Sequence, residues 1–184
     1  MFRIPEKNPA FCNFFAAGAI YFKMTASEYN QCVSELADRL YRFAWKSLED
    51  RDEAQDVVQQ SFMALWEKRI AVPPDKASSF LFTIAYRKSM DRHRKRRKVI
   101  PAEALEDSLP ADPDQPHDIK SILQRALAVL DQQARNLVLL KDYEGYSYEE
   151  IARLTGLSVT QVKVYLHRAR RELRSYLVNK EYLI

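Results

Sequence analysis

Residues 147–173, SYEEIARLTGLSVTQVKVYLHRARREL, decide how this chain is read. Ser147 is a helix cap, with Glu150 three residues on as its capping-box partner. Ile151, Ala152 and Leu154 give that helix an inner face. Gly156 ends it, as a glycine just past a helix C-terminus does. Ser158 caps a second helix. Its apolar positions Val162, Leu166, Ala169 and Leu173 recur at helical spacing and form one stripe. At about 100° per residue, Thr160, Val164, His167 and Arg171 point the other way, flanked by Gln161, Lys163 and Arg168. A short helix, a glycine turn and a longer cationic helix make a helix-turn-helix, which lays its second helix in the major groove of duplex DNA. The competing reading is an αα-hairpin that only packs. The outward face is polar and cationic with few acids beside it, which favours DNA.

Two further amphipathic segments precede the pair. Ile119, Ile122, Leu123, Ala126, Leu127 and Leu130 share one face, and Ala134, Leu137, Val138 and Leu140 another. Gly145 separates them from the helix-turn-helix. The four segments are expected to pack on a small core over residues 118–179. Before them, residues 99–117, VIPAEALEDSLPADPDQPH, hold four prolines and no basic side chain. That composition reads as an acidic linker, either a plain tether or a strand that threads a basic groove.

Charge follows the same division. The net formal charge of +4 at pH 7 is distributed as +2 over residues 1–23, +4 over 24–100, −6 over 101–119 and +4 over 120–184. Two basic blocks flank an acidic strip, a pattern suited to polyanionic partners. The only glycines are Gly18, Gly145 and Gly156. Neither a P-loop nor a dinucleotide fingerprint is possible with them, and tight hairpins are disfavoured. The expected class is all-α. Cys12 and Cys32 lack metal spacing and read as ordinary residues of a reducing compartment. His93, His117 and His167 have no zincin spacing and no nucleophile partner, so neither a metal nor a catalytic residue is expected.

Residues 25–98 form the expected N-terminal helical domain. Val33, Leu36, Leu40, Phe43 and Ala44 recur at helical spacing. Asp50, with Glu53 three on, caps a second helix whose inner stripe is Ala54, Val57, Val58, Ser61, Phe62, Leu65 and Trp66. Asp52, Asp56, Gln59, Gln60 and Met63 face outward there, and an outward Met hints at a contact surface. Val72-Pro73-Pro74-Asp75 is a loop, since two prolines cannot continue a helix. Ser78 or Ser79 then caps a third helix. It opens with Phe80, Leu81, Phe82, Ile84 and Tyr86, of which Phe80, Leu81 and Ile84 read as core. It closes with Arg87, Lys88, Arg92, Arg94, Lys95, Arg96, Arg97 and Lys98 against the single acid Asp91. Aromatics running into a dense cationic block suit single-stranded nucleic acid, with rings stacking on bases and cations tracking phosphates. Residues 1–24 form an N-terminal extension. Its apolar run from Phe11 to Phe22 is too short to span a bilayer, which takes about 20 residues. It reads either as an upstream segment of little structure before a candidate start at Met24, or as an arm that docks on a partner.

Taken in order, these segments resemble the extracytoplasmic-function (ECF) sigma factors of the sigma-70 family. DEAQDVVQQSFMALW (52–66), SSFLFTIAYRKSMDRHRKRR (78–97) and ALAVLDQQARNLVLLKDYEGYSYEEIARLTGLSVTQVKVYLHRARREL (126–173) carry the likeness, which covers about residues 25–178. The resemblance implies two small domains, region 2 and region 4, and a cytoplasmic bacterial initiation factor. Its implied partners are core RNA polymerase, promoter DNA as duplex and as single non-template strand, and an anti-sigma factor, with no small-molecule substrate and no cofactor. Asp56, Gln59, Gln60 and Met63 fall where such factors meet the polymerase. Phe80, Tyr86, Arg87, Arg92, Arg94, Lys95 and Arg97 fall at the downstream (−10) element. Thr160, Gln161, Lys163, Val164, His167, Arg168 and Arg171 fall at the upstream (−35) element. The sequence departs from the family at Phe80, often Trp, at Arg87, often Asn, at Gln60, often Glu, at Gln161, often Thr, and at Asp131, where Pro is usual. From the residues alone, a stand-alone dimeric repressor or activator and an RNA-binding adaptor remain as alternatives. A dimeric reader needs a symmetric interface or a sensor domain, where this chain has the aromatic and basic third helix; binding of promoter duplex alone, or only with core polymerase, separates the readings.

Overall fold

The computed structural model describes residues 24–99 and 119–179, and every regular element among them is helical. The N-terminal half comprises α1 (Ala26–Leu48), α2 (Arg51–Glu67) and α3 (Ala77–Val99), the last entered through a 3-10 turn at Pro74–Lys76. The C-terminal half comprises α4 (Ile119–Val129), α5 (Gln132–Val138), a π-helical turn at Leu139–Tyr143, α6 (Tyr148–Thr155) and α7 (Val159–Asn179). The all-α expectation agrees with this architecture. Most of the extension (residues 1–23), most of the linker, Cys12, His117 and the Arg97 and Lys98 side chains lie outside the described residues.

Side-chain caps set the helix starts. The Asp50 carboxylate accepts the Glu53 backbone N–H at 2.9 Å, and Asp131 accepts that of Ala134 at 2.7 Å. Ser147 Oγ accepts the Glu150 N–H at 3.2 Å, and the Glu150 carboxylate accepts the Ser147 N–H at 2.8 Å. Each cap is worth about 1 kcal/mol. Asp131, at the position where the resemblance implies proline, is thus coherent: it suits the entry of a helix by capping it. Hydrogen bonds from Ser147 hold the Glu150 carboxyl below its ordinary range. Its contribution is therefore complete above about pH 4.3, the unfolded value, and fades as pH falls through the lower folded value.

Three sequence expectations are corrected. Neither Ser78 nor Ser79 caps α3. The proline-bearing turn leads straight into the helix, and Ser78 Oγ instead hydrogen-bonds Tyr146 Oη at 2.8 Å. Met24, assigned to the extension, is 1% exposed and its N–H bonds the Arg69 carbonyl at 2.9 Å, so it belongs to the folded body. Trp66, assigned to the inner stripe, is 40% exposed. It packs edge-on against Tyr29 with the Arg69 guanidinium over its other face.

The two halves share one continuous core. Leu40, Phe43, Val57, Leu65, Leu81 and Phe82 lie in it from the first, and Leu137, Leu140, Ile151, Val162 and Leu166 from the second. The buried face of α3 is rotated from the expected one. Ala77, Leu81, Phe82, Ala85 and Tyr86 are buried, while Phe80 and Ile84 are only partly so. The rotation follows from packing on two sides: α3 meets α1 and α2 in its own half and α6 and α5 in the other.

Gly156 closes α6 in the left-handed region at φ 78°, and a Cβ built there meets nothing within 4 Å. Gly156→Ala should therefore cost about 1 kcal/mol through backbone conformation alone. A urea melt checks the size, and unchanged packing of α7 should leave its DNA face unaltered.

Candidate nucleic-acid interface

α7 is held by one face and open on the other. Val162, Leu166 and Ala169 are buried to within about 1% exposure. Thr160, Gln161, Lys163, Val164, His167, Arg168 and Arg171 are all exposed. The structure brings all seven predicted upstream-element residues to one solvent-facing surface. Arg170 lies outside this set and anchors the helix from the side, with Nη2 2.6 Å from Asp142 in the π-turn. That hydrogen bond raises the guanidinium pKa further above its ordinary value.

Two of the seven have internal engagements. Gln161 completes a second capping box: Ser158 Oγ accepts its N–H at 3.2 Å, and its Oε1 accepts the Ser158 N–H at 2.8 Å. Its amide is therefore committed to the helix start, and the sequence reading missed the reciprocal half of that box. Lys163 rests its ammonium 5.6 Å from the centre of the Tyr148 ring. Such an exposed cation–π contact is worth about 0.5–1 kcal/mol, small enough for a phosphate or base edge to displace.

The basic end of α3 divides into two groups. Arg92 is hydrogen-bonded to Asp56 and to the Glu53 carbonyl, the latter at 3.3 Å. Arg96 reaches Asp50 at 3.3 Å and Glu53 at 3.1 Å. Both therefore tie α3 to the acidic start of α2. Asp56 also accepts from Gln60, and its carboxyl is held below the ordinary range by that bond and by Arg92. Lys88 donates to Gln60 Oε1. Asp56 and Gln60, expected at the polymerase, thus pair with Arg92 and Lys88 at a partly exposed surface. Gln59 and Met63 remain on the open side, Met63 being 55% exposed. Arg87, Arg94 and Lys95 are exposed, with Arg94 paired to Asp91 at 2.8 Å.

Tyr86 is placed differently from expectation. It is 7% exposed, and burial raises its phenol pKa, with Tyr165 of α7 and Asp131 adding to the rise. A ring packed between the two halves cannot stack on a base in this conformation. Phe80, under two turns earlier in the same helix, is partly buried. Among the described residues there is no group of His, Cys, Asp and Glu suited to hold a metal ion, and no helix long and apolar enough to cross a membrane.

Comparison with known proteins fits these two faces. Residues 32–99 match the Sigma-70 region 2 model and residues 120–173 the Sigma-70, region 4 model. The ECF RNA polymerase sigma factor SigE of Mycolicibacterium smegmatis is 33% identical over 158 residues, covering 81% of this chain and 61% of that protein. SigL of Mycobacterium tuberculosis, also an ECF RNA polymerase sigma factor, is 30% identical over 147 residues, covering 76% of this chain and 83% of the relative. Among solved structures, CnrH in complex with the cytosolic domain of CnrY is 27% identical, with a TM-score of 0.62 over 82% of this chain and 88% of that one. The sigma factor RpoE of Bartonella quintana, bound to the anti-sigma factor NepR, shares the fold at a TM-score of 0.66 and 24% identity, over 83% of this chain and 98% of its own. With both family regions matched in order on the two halves whose geometry is described above, this chain belongs to the ECF RNA polymerase sigma factors of the sigma-70 family.

Proposed function

We propose that the chain directs core RNA polymerase to particular promoters and helps to open them, acting in the cytoplasm without catalysing a reaction itself. The observation that carries this reading is the match of region 2 and region 4 to the two halves, together with the open cationic face of α7. α7 would read the upstream element as duplex through Thr160, Lys163, Val164, His167, Arg168 and Arg171, with Gln161 positioning the helix start. The N-terminal half would take the downstream element as a single non-template strand along Phe80, Arg87, Arg94, Lys95 and Arg97. Tyr86 would join them once the two halves part. Gln59 and Met63 would lead the contact with polymerase. An anti-sigma factor is the natural regulator, since the sigma factor RpoE of Bartonella quintana is seen with one.

In vitro transcription tests the reading. Core polymerase with this protein should start transcripts at discrete sites in a library of genomic fragments, and core alone should not. If the purified chain instead binds a palindromic operator tightly without polymerase, a stand-alone regulator is the correct reading.

Specificity gives a sharper expectation. Residues near the N-terminus of a recognition helix lie deepest in the groove. Lys163→Ala should cost about 1–3 kcal/mol at one base position of the upstream element and relax preference there. Arg171→Ala, two turns further on, should weaken binding about equally on all sequences and lower the salt slope by about one unit. Transcription from a set of promoter variants separates the two. If Arg171→Ala changes base preference while Lys163→Ala does not, the helix docks in another register.

A further inference from the structure

α2 carries an apolar stripe that the described residues leave open. At about 100° per residue, Gln59, Met63 and Trp66 fall within about 60° of one another on its outer side. Met63 is 55% exposed and Trp66 40%, and Ile70, in the turn that ends the helix, is 49% exposed. Trp66 is held in place. It stands edge-on to Tyr29 at 4.9 Å, and the Arg69 guanidinium lies 4.1 Å from its ring centre. Tyr29 is fixed in turn by its hydroxyl, which donates to the Phe62 carbonyl at 3.2 Å. Exposed apolar side chains scattered singly are ordinary, but neighbouring ones on a fixed platform mark a contact face.

The chain itself supplies a cover for that face. Its path into α1 passes beside the stripe, because the Met24 N–H donates to the Arg69 carbonyl at 2.9 Å. Residues 11–22, FCNFFAAGAIYF, end two residues before that anchor and carry no charge and four phenylalanines. The stripe from Ile70 back to Gln59 is about 17 Å long at about 1.5 Å per residue. About six extended residues at about 3.3 Å each cover that distance, so reach sets no limit. Charge agrees with the same placement. Arg3, Lys7 and Lys23 outnumber Glu6 over residues 1–23, and the far end of the stripe meets the acidic start of α2, where Asp52 is exposed beside Glu53 and Asp56.

We infer that residues 11–22 dock along the Met63, Trp66 and Ile70 stripe of α2 and screen it from polymerase in the free chain. The occupant is a segment of this chain rather than a second copy. Met24 tethers it beside the stripe, and a short tether gives an effective concentration of about millimolar, well above that of a separate molecule. The screening rests on the proposed function, in which Gln59 and Met63 lead the polymerase contact. Core polymerase then has to displace the segment, and its apparent affinity falls in proportion to the fraction of chains whose stripe is open.

A spin label tests the docking. In a Cys32→Ala background, Cys12 is the only cysteine of the full chain. A nitroxide on Cys12 should broaden the Met63 methyl and Trp66 indole resonances. Sharp signals at both residues overturn the inference. Broadening that passes equally from labelled to unlabelled molecules in a mixed sample means a second copy, and overturns it as well. Polymerase affinity tests the screening. Phe14→Asp/Phe15→Asp should bind core polymerase about tenfold more tightly than the wild-type chain, as follows if the stripe is covered in about nine chains of ten. Its helicity should be unchanged. Equal affinity of the two chains overturns the screening. If neither chain binds core polymerase, it is the proposed function that fails, and the spin-label result alone decides the docking.

Discussion

Replacing Phe82 with Ala should remove about 3–5 kcal/mol of folding free energy, the usual range for truncating a buried Phe. Phe82 is 0% exposed. Its ring stands edge-on to Phe43 at 5.4 Å and 70°, and edge-on to Tyr146 at 5.4 Å and 66°. The Arg39 guanidinium lies 5.9 Å from its centre. No neighbour can fill the space easily, because Phe43 is held by α1 and Tyr146 by its hydroxyl bond to Ser78. Such a loss is a large part of the 5–15 kcal/mol that separates a typical folded domain from its unfolded chain. Because Phe82 touches both halves, urea unfolding should shift as one transition with an unchanged m-value. A loss below about 1 kcal/mol would mean the site collapses around the smaller residue. A split transition would mean the halves unfold independently.

Phe82 also shows what could be read from the sequence and what could not. Helical periodicity located the first turns of α3 and marked them as aromatic, but it chose Phe80, Leu81 and Ile84 as the core face. The buried face is Ala77, Leu81, Phe82, Ala85 and Tyr86. A periodicity argument assumes one packing partner per helix, and α3 has one on each side. The helix-turn-helix was fully legible because its signals are local: two cap serines, a glycine at positive φ and one apolar stripe. The joining contacts were not, because Arg39 and Glu144, or Ser47 and Gln132, lie far apart in sequence and carry no pattern. One sign was available. Tyr146 stands just before the cap Ser147, the position from which a hydrophobic residue folds back on the helix it precedes. That predicts burial for Tyr146, though not its partner. The charges of α3 also differ among themselves in a way the sequence does not show. A basic run looks uniform in sequence, yet the caps and acids at the start of α2 draw in Arg92 and Arg96 and leave Arg94 and Lys95 outside.

Replacing Arg135 with Met should cost about 3 kcal/mol, and the reason lies in backbone carbonyls rather than in its ion pair. Arg135 is 8% exposed and serves as the end-cap of α4. Its Nε donates to the Leu127 carbonyl at 2.9 Å, and its Nη2 donates to those of Ala128 at 3.1 Å and Leu130 at 3.5 Å. These lie at the end of α4, where carbonyls lose their regular intrahelical partner; that of Leu127 also accepts the Leu130 N–H at 3.2 Å. Nη1 reaches Glu49 at 2.8 Å and the Ser47 carbonyl at 3.4 Å, so the same side chain ties the halves together. Burial pulls the guanidinium pKa down, and Glu49 and then Asp131 pull it back. Arginine has five donors in a fixed fork, and no other side chain can serve this set. Methionine fills the space of the stem and removes every Arg135 donor; the Leu127 and Ser47 carbonyls keep the Leu130 N–H and Gln132 Nε2, and a carbonyl left buried without a donor costs about 1–3 kcal/mol before relaxation. The Glu49 side chain is 36% exposed, so its share of the pair is largely screened. Glu49→Gln should accordingly cost well under 1 kcal/mol. Chemical denaturation of both variants gives the ratio. Equal losses would mean that the charge pair, not the carbonyl set, is what Arg135 supplies.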